Sequence, residues 1–118
     1  MTADVPLTDE TMHWFIAQYT PQASQRLDWR ASPLRAASLQ GVAPAAVLTV
    51  AHDPLCDEGR AYAQRLDEAG VRVTSLHLND QFHGLLGQGH LIPMADLATG
   101  FVADLLAHEL ERALKNSR

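Results

Sequence analysis

The chain has 118 residues, enough for one domain with a sizeable hydrophobic core. Its 47% apolar and 19% charged residues exclude a disordered chain, and a net charge of −5 with scattered basic residues argues against nucleic acid or an anionic membrane as partner. One cysteine excludes an internal disulfide, and the longest apolar stretch, within residues 42–51, is too short to span a bilayer. With no basic region ahead of an apolar run in the opening residues, a cytoplasmic protein is expected.

Thr8 stands where a helix N-cap belongs, with Asp9 and Glu10 in the first turn and Leu7 and Met12 at the positions a hydrophobic staple uses. This helix is expected to run to Tyr19 and stop before Pro21, with Trp14, Phe15, Ile16 and Tyr19 spread around its circumference. Residues 20–44 contain Pro21, Pro33, Gly41 and Pro44 and read as an irregular connection, with a weak helical turn between Leu34 and Leu39.

Residues 45–51 form a continuous apolar run, the mark of a strand covered on both faces in a parallel sheet. A helix from Asp57 to Ala69 is expected next, its apolar stripe using Ala61, Tyr62 and Leu66, and Gly70 supplies a left-handed cap. Val71 to Leu78 reads as a second strand; Arg72, Thr74 and Ser75 dilute it, which places it nearer a sheet edge. Strand, helix and strand make a parallel βαβ unit. A last helix starts near Pro93, with one stripe through Leu97, Phe101 and Leu105 and another through Val102, Leu106, Leu110 and Leu114. Gly100, in mid-helix, suggests close packing onto the sheet. Two strands are too few for a sheet whose first strand is apolar on both faces, so that strand expects a further neighbour.

Open parallel sheets bind ligands outside the carboxyl ends of their strands. Asp53 follows the first strand and His83 lies in the loop after the second, so a carboxylate and an imidazole can meet in one crevice. In that arrangement Asp53 accepts from His83 Nδ1–H, and His83 Nε2 faces a hydroxyl as general base. Blander readings stand beside this one. Asp53 before Pro54 also suits a turn acid, His83 a plain loop histidine, and Asp57 and Glu58 the charged start of a helix. His52, Asp53, His77 and His83 invite a metal reading, but none of their spacings is a ligand motif, and Ala107-His108-Glu109-Leu110-Glu111 is not His-Glu-x-x-His. Cys56 as a nucleophile needs His83 within reach, yet it stands on the helix side of the acid.

Asp53-Pro54-Leu55-Cys56-Asp57-Glu58-Gly59 and Phe82-His83-Gly84 resemble the acid and histidine motifs of the hormone-sensitive-lipase-like esterases and lipases, a branch of the α/β-hydrolases. The Trp14-Phe15 segment, Ser32-Pro33-Leu34 and Val42-Ala43-Pro44-Ala45 are similar to the family's approach to that acid. Cys56 departs at a variable position, and Leu85 replaces the usual phenylalanine after His-Gly. The larger departure is that neither a Gly-x-Ser-x-Gly elbow nor a Gly-rich oxyanion loop occurs in these 118 residues.

The resemblance implies an α/β fold, the C-terminal part of an α/β-hydrolase, forming a single partial domain over residues 1–118. Residues 1–44 would be the helix and irregular connection, and residues 45–118 the part carrying the acid and histidine. It implies Asp53 and His83 as catalytic acid and base of a serine carboxylesterase or lipase for short to medium acyl esters, with no metal or organic cofactor. The chain alone is then expected to be inactive, or, in the rival reading, to be a non-catalytic module. Such a module associates through its open sheet edge, with a missing N-terminal half or as a homo-oligomer.

Overall fold

The computed structural model describes residues 7–117. Helix α1 spans Asp9–Tyr19; Thr8 caps it, accepting at Oγ1 from the Thr11 amide at 3.2 Å, with Leu7 buried and Met12 half-buried. The connection that follows is held by two short 3-10 turns, Ala23–Leu27 and Pro33–Arg35, so the expected turn near Leu34 starts at the proline and ends earlier.

Strand β1 is Ala45–His52, helix α2 is Cys56–Glu68 and strand β2 is Val73–Phe82, with β1 and β2 paired in parallel. Gly70 takes a φ of +77° beyond α2, the left-handed conformation its place after the helix requires. The chain then enters β2 two residues later than expected and leaves it four residues later.

The core of this part is small. Leu66, only 1% exposed, packs with Leu39 and Val71, and Tyr62, Ala45 and Val73 close around them. Ala63 and Leu66 are the buried residues of α2, whereas Ala61 is exposed, one helical step off the expected stripe. Arg65 reaches from α2 to the 33–36 segment, its guanidinium donating to the carbonyls of Leu34 and Ala36, the latter at 2.8 Å. Two carbonyls in the irregular connection are thus satisfied by one side chain.

The described residues form two compact units that meet in sequence between His83 and Gly84. The second contains a 3-10 turn, Leu85–Gln88, and helix α3, Pro93–Asn116. Ala95 and Ala98 are its buried helical residues, while Leu97, Phe101, Leu106, Leu110 and Leu114 are exposed. The face buried is therefore the small-residue face, not the leucine stripes. A Cβ added at Gly100 meets nothing within 4 Å. Among the described residues no helix is long and apolar enough to cross a membrane.

Candidate active site

β1 delivers Asp53 to a tight turn. Its carbonyl accepts from the Cys56 amide at 3.0 Å, and its Oδ1 accepts from the Leu55 amide at 2.8 Å. Pro54 presets the backbone for such a turn, and the Asx bond holds the carboxylate in one orientation. The turn-acid reading of Asp53 is therefore realised, and it occupies only one carboxylate oxygen. The other, Oδ2, lies 2.8 Å from His83 Nδ1.

His83 arrives through an irregularity in the ladder. From Ala45↔Val73 to Val50↔Leu78 the strands keep one register, and then His52 pairs with Phe82. Residues 79–81 of β2 thus stand opposite Ala51 alone, a bulge with two extra residues. Beyond it β2 rejoins β1, and the His83 amide donates to the His52 carbonyl at 3.2 Å. Polar residues 79–81 read as loop, so sequence reasoning missed both this rung and the Leu55 amide. The Asp-Pro pair was the available signal for the latter.

Asp53 has 13% of its side chain exposed and His83 40%. With Nδ1–H donating to the carboxylate, Nε2 is the ring nitrogen left to accept a proton. If the ring gains a second proton, the carboxylate at 2.8 Å stabilises the cation. An oriented acid, a fixed tautomer and a half-open ring can abstract and return a proton.

The other candidates fall elsewhere. His77 lies within β2 and its Nδ1 meets Thr49 Oγ1 at 2.8 Å, and His52 is exposed. Among the described residues no three of His, Cys, Asp and Glu are grouped to hold a metal ion. Cys56 opens α2 as a half-buried free thiol, and Asp57 and Glu58 are exposed in that helix's first turn. An open cavity of about 570 Å³ lies between α2 and the sheet, lined by Arg60, Gln64, Thr49 and His77 among others; neither Asp53 nor His83 lines it.

Residues 1–87 match the model of a family described by the α/β-hydrolase fold. The chain is 36% identical over 104 residues to an ethyl acetate hydrolase of Pseudomonas putida, a match covering 88% of this chain and 33% of that protein. Among solved structures it is similar to EstE1, a thermophilic carboxylesterase cloned from a metagenomic library, with a TM-score of 0.87 and 31% identity over 93% of this chain and 37% of that one. An ester hydrolase from the Lake Arreo metagenome gives a TM-score of 0.84 and 36% identity over 91% of this chain and 34% of that one. The chain thus spans about a third of the length of these relatives.

Proposed function

This chain belongs to the α/β-hydrolase-fold family, in its carboxylesterase branch similar to hormone-sensitive lipase, and we propose that Asp53 and His83 are the acid and base of a serine ester hydrolase. The observation that carries the reading is the 2.8 Å contact between His83 Nδ1 and an Asp53 carboxylate whose second oxygen is already held by the Leu55 amide. His83 Nε2 takes the proton of a serine hydroxyl as the oxygen attacks the ester carbonyl, then returns it to the leaving alkoxide. Water repeats the cycle on the acyl-serine. No Gly-x-Ser-x-Gly elbow and no Gly-rich oxyanion loop occurs in these 118 residues, so in this reading the chain by itself is expected not to turn over. Losing one oxyanion donor alone costs about 10²–10³ in kcat.

The substrates we assign are short to medium acyl esters. The relatives are named for ester hydrolysis, and no organic cofactor or metal has a step in the scheme. The free Cys56 fits a reducing compartment, and the cytoplasm is the location we propose. We take residues 1–118 as one partial domain.

Two assays test this. The isolated chain should hydrolyse p-nitrophenyl butyrate no faster than its His83→Ala variant and should resist labelling by a serine-directed phosphonate. A chimera, in which the full chain replaces the overlaid third of EstE1, should hydrolyse the same ester and lose that activity with His83→Ala. A chimera indifferent to His83→Ala refutes the assignment of the base. A second reading, a non-catalytic module that self-associates, is favoured by one observation: among the described residues no strand pairs with the other edge of β1. Sedimentation of the isolated chain tests it, and a monomer at all concentrations removes it.

A further inference from the structure

The cavity of about 570 Å³ between α2 and the sheet has charged walls that the acid–base scheme does not use. Arg60, Gln64 and Asp67 of α2 all line it, and their spacing of four and then three residues keeps them on one face of the helix. Arg60 and Asp67 stand about 10 Å apart along the helix axis, too far for the usual pairing on a helix face. Among the described residues neither side chain has an ion-pair or hydrogen-bond partner, and Gln64 between them donates to Glu68 at 2.8 Å. Asp67 also stands in the last turn of α2, where the helix dipole disfavours a carboxylate.

The sheet wall is graded in the same direction. Gly59 brings the Arg60 end of the helix onto β1, since a Cβ added at Gly59 would lie 3.0 Å from Thr49 Cγ2. Thr49 pairs with His77 across the strands, and its hydroxyl meets His77 Nδ1 at 2.8 Å. With Nδ1 accepting from that hydroxyl, Nε2–H is the donor left for a ligand. Asp67 lies at the other end, about two helical turns on, where Val73 opens β2. Val47 and Ala63 give the cavity an apolar middle.

We propose that this cavity binds a small zwitterion whose carboxylate and ammonium are joined by a short hydrocarbon chain. Arg60 and His77 hold the carboxylate, Asp67 accepts from the ammonium, and Val47 and Ala63 face the methylenes between. The charges select this class. A simple anion meets Arg60 but leaves Asp67 unanswered, a simple cation does the reverse, and an apolar molecule desolvates both without return. The separation selects the length, because an α-amino acid carries its two charges side by side and reaches only one end. Neither Asp53 nor His83 lines the cavity, so the inference stands without the reading of that pair.

The probe is 6-aminohexanoate, titrated into the isotope-labelled full chain and followed by NMR, with hexanoate, hexylamine and glycine as comparators. Amide signals of Thr49, Gln64, Ser75 and His77 should shift. The Kd for 6-aminohexanoate should lie at least about tenfold below that of any comparator, the scale of one charge-assisted contact. Arg60→Gln should weaken it to the level of hexylamine, and Asp67→Asn to the level of hexanoate. Both side chains are exposed on the helix, and unchanged far-ultraviolet dichroism checks that the variants fold. Asp57→Asn, in the first turn of α2 and outside the cavity, should leave binding unaltered. Equal affinity for the four probes, binding that survives loss of both Arg60 and Asp67, or shifts centred on His83 in place of His77 overturns the proposal. Where the isolated chain does not fold, the same titration is run on the EstE1 chimera, and no binding there overturns it equally.

Discussion

The sheet contains two histidine pairs that look alike and differ in consequence. Thr49 and His77 face each other across β1 and β2 at 2.8 Å, 28 residues apart; Asp53 and His83 do so at 2.8 Å, 30 residues apart. Both contacts are made through Nδ1, so both rings are oriented. Only the second partner is a carboxylate, which can stabilise an imidazolium, and only the second pair stands beyond the strand ends where ligands bind. Parallel pairing thus orients both histidines, and the carboxylate partner is what separates the proposed base from the ring held by a hydroxyl. The largest expected effect breaks this contrast directly. In the EstE1 chimera, Asp53→Asn should lower kcat about 10⁴-fold by leaving the wrong tautomer. Thr49→Val should change kcat less than about threefold, and equal losses from both would refute the distinction.

The spacings also differ by two residues, and the bulge accounts for it. Continued at the register of the strand body, β2 would set Gln81 opposite Asp53 and carry His83 about 6.6 Å further along. Removing both Asn79 and Asp80 shortens β2 by that excess, so an unbroken ladder again places His83 opposite Asp53. Removing Asp80 alone leaves an odd excess, which turns the following side chains toward the other face. The chimera without both residues should keep kcat within about tenfold, whereas loss of Asp80 alone should cost about 10²-fold, the scale of an ångström-sized misplacement. The reverse order would show that the bulge itself, and not the count of residues, aims the base.

This bulge also marks where sequence reading stopped. The apolar run at residues 45–51 located β1 to within a residue, and Gly70 located the end of α2, because burial and a positive φ each demand particular residue types. Asn79, Asp80 and Gln81 carry neither signal: a polar bulge and a polar loop have the same composition, although Gln81 is buried. Asp53 and His83 were legible from their motifs, while the rung from the His83 amide to the His52 carbonyl was not, since backbone contacts leave no residue preference. In α3 the leucine stripes outweighed Ala95 and Ala98 in the hydrophobic pattern, yet the alanines are the buried face. Periodicity ranks faces by apolar content, and it does not tell which face has a partner within the chain.

A smaller effect sharpens the role of the first pair. Thr49→Val keeps the shape of the side chain and removes the hydroxyl facing His77 Nδ1, which is half-buried in β2. The expected loss is about 1 kcal/mol of stability, the net worth of one neutral hydrogen bond. It should appear as a lower denaturant midpoint at unchanged m-value for the isolated chain. An unchanged midpoint would mean that water replaces the hydroxyl and that the Thr49–His77 contact does not hold the strands together.

The smallest effect comes from a carboxylate outside the sheet, and it separates a surface pair from the Asp53–His83 arrangement. Asp28 accepts from the Arg30 amide at 2.9 Å, from its Nε at 2.9 Å and from its Nη2 at 2.7 Å. Hydrogen bonding to the Arg30 side chain, then to its backbone, lowers the Asp28 pKa from 3.8 to about 2. A lowered folded-state pKa adds stability that is fully present above the unfolded value and is lost as pH falls from near 3.8 through about 2. The pair is largely exposed, so salt screens it and its contribution is slight. Asp28→Asn should therefore flatten the acid limb of the stability curve between those pH values and leave the neutral region almost unaltered. In the chimera it should also leave the pH dependence of kcat unchanged, because Asp28 has no part in the acid–base scheme. A shift in that profile would show coupling between the 23–35 connection and His83, and would undo the separation of the two carboxylates.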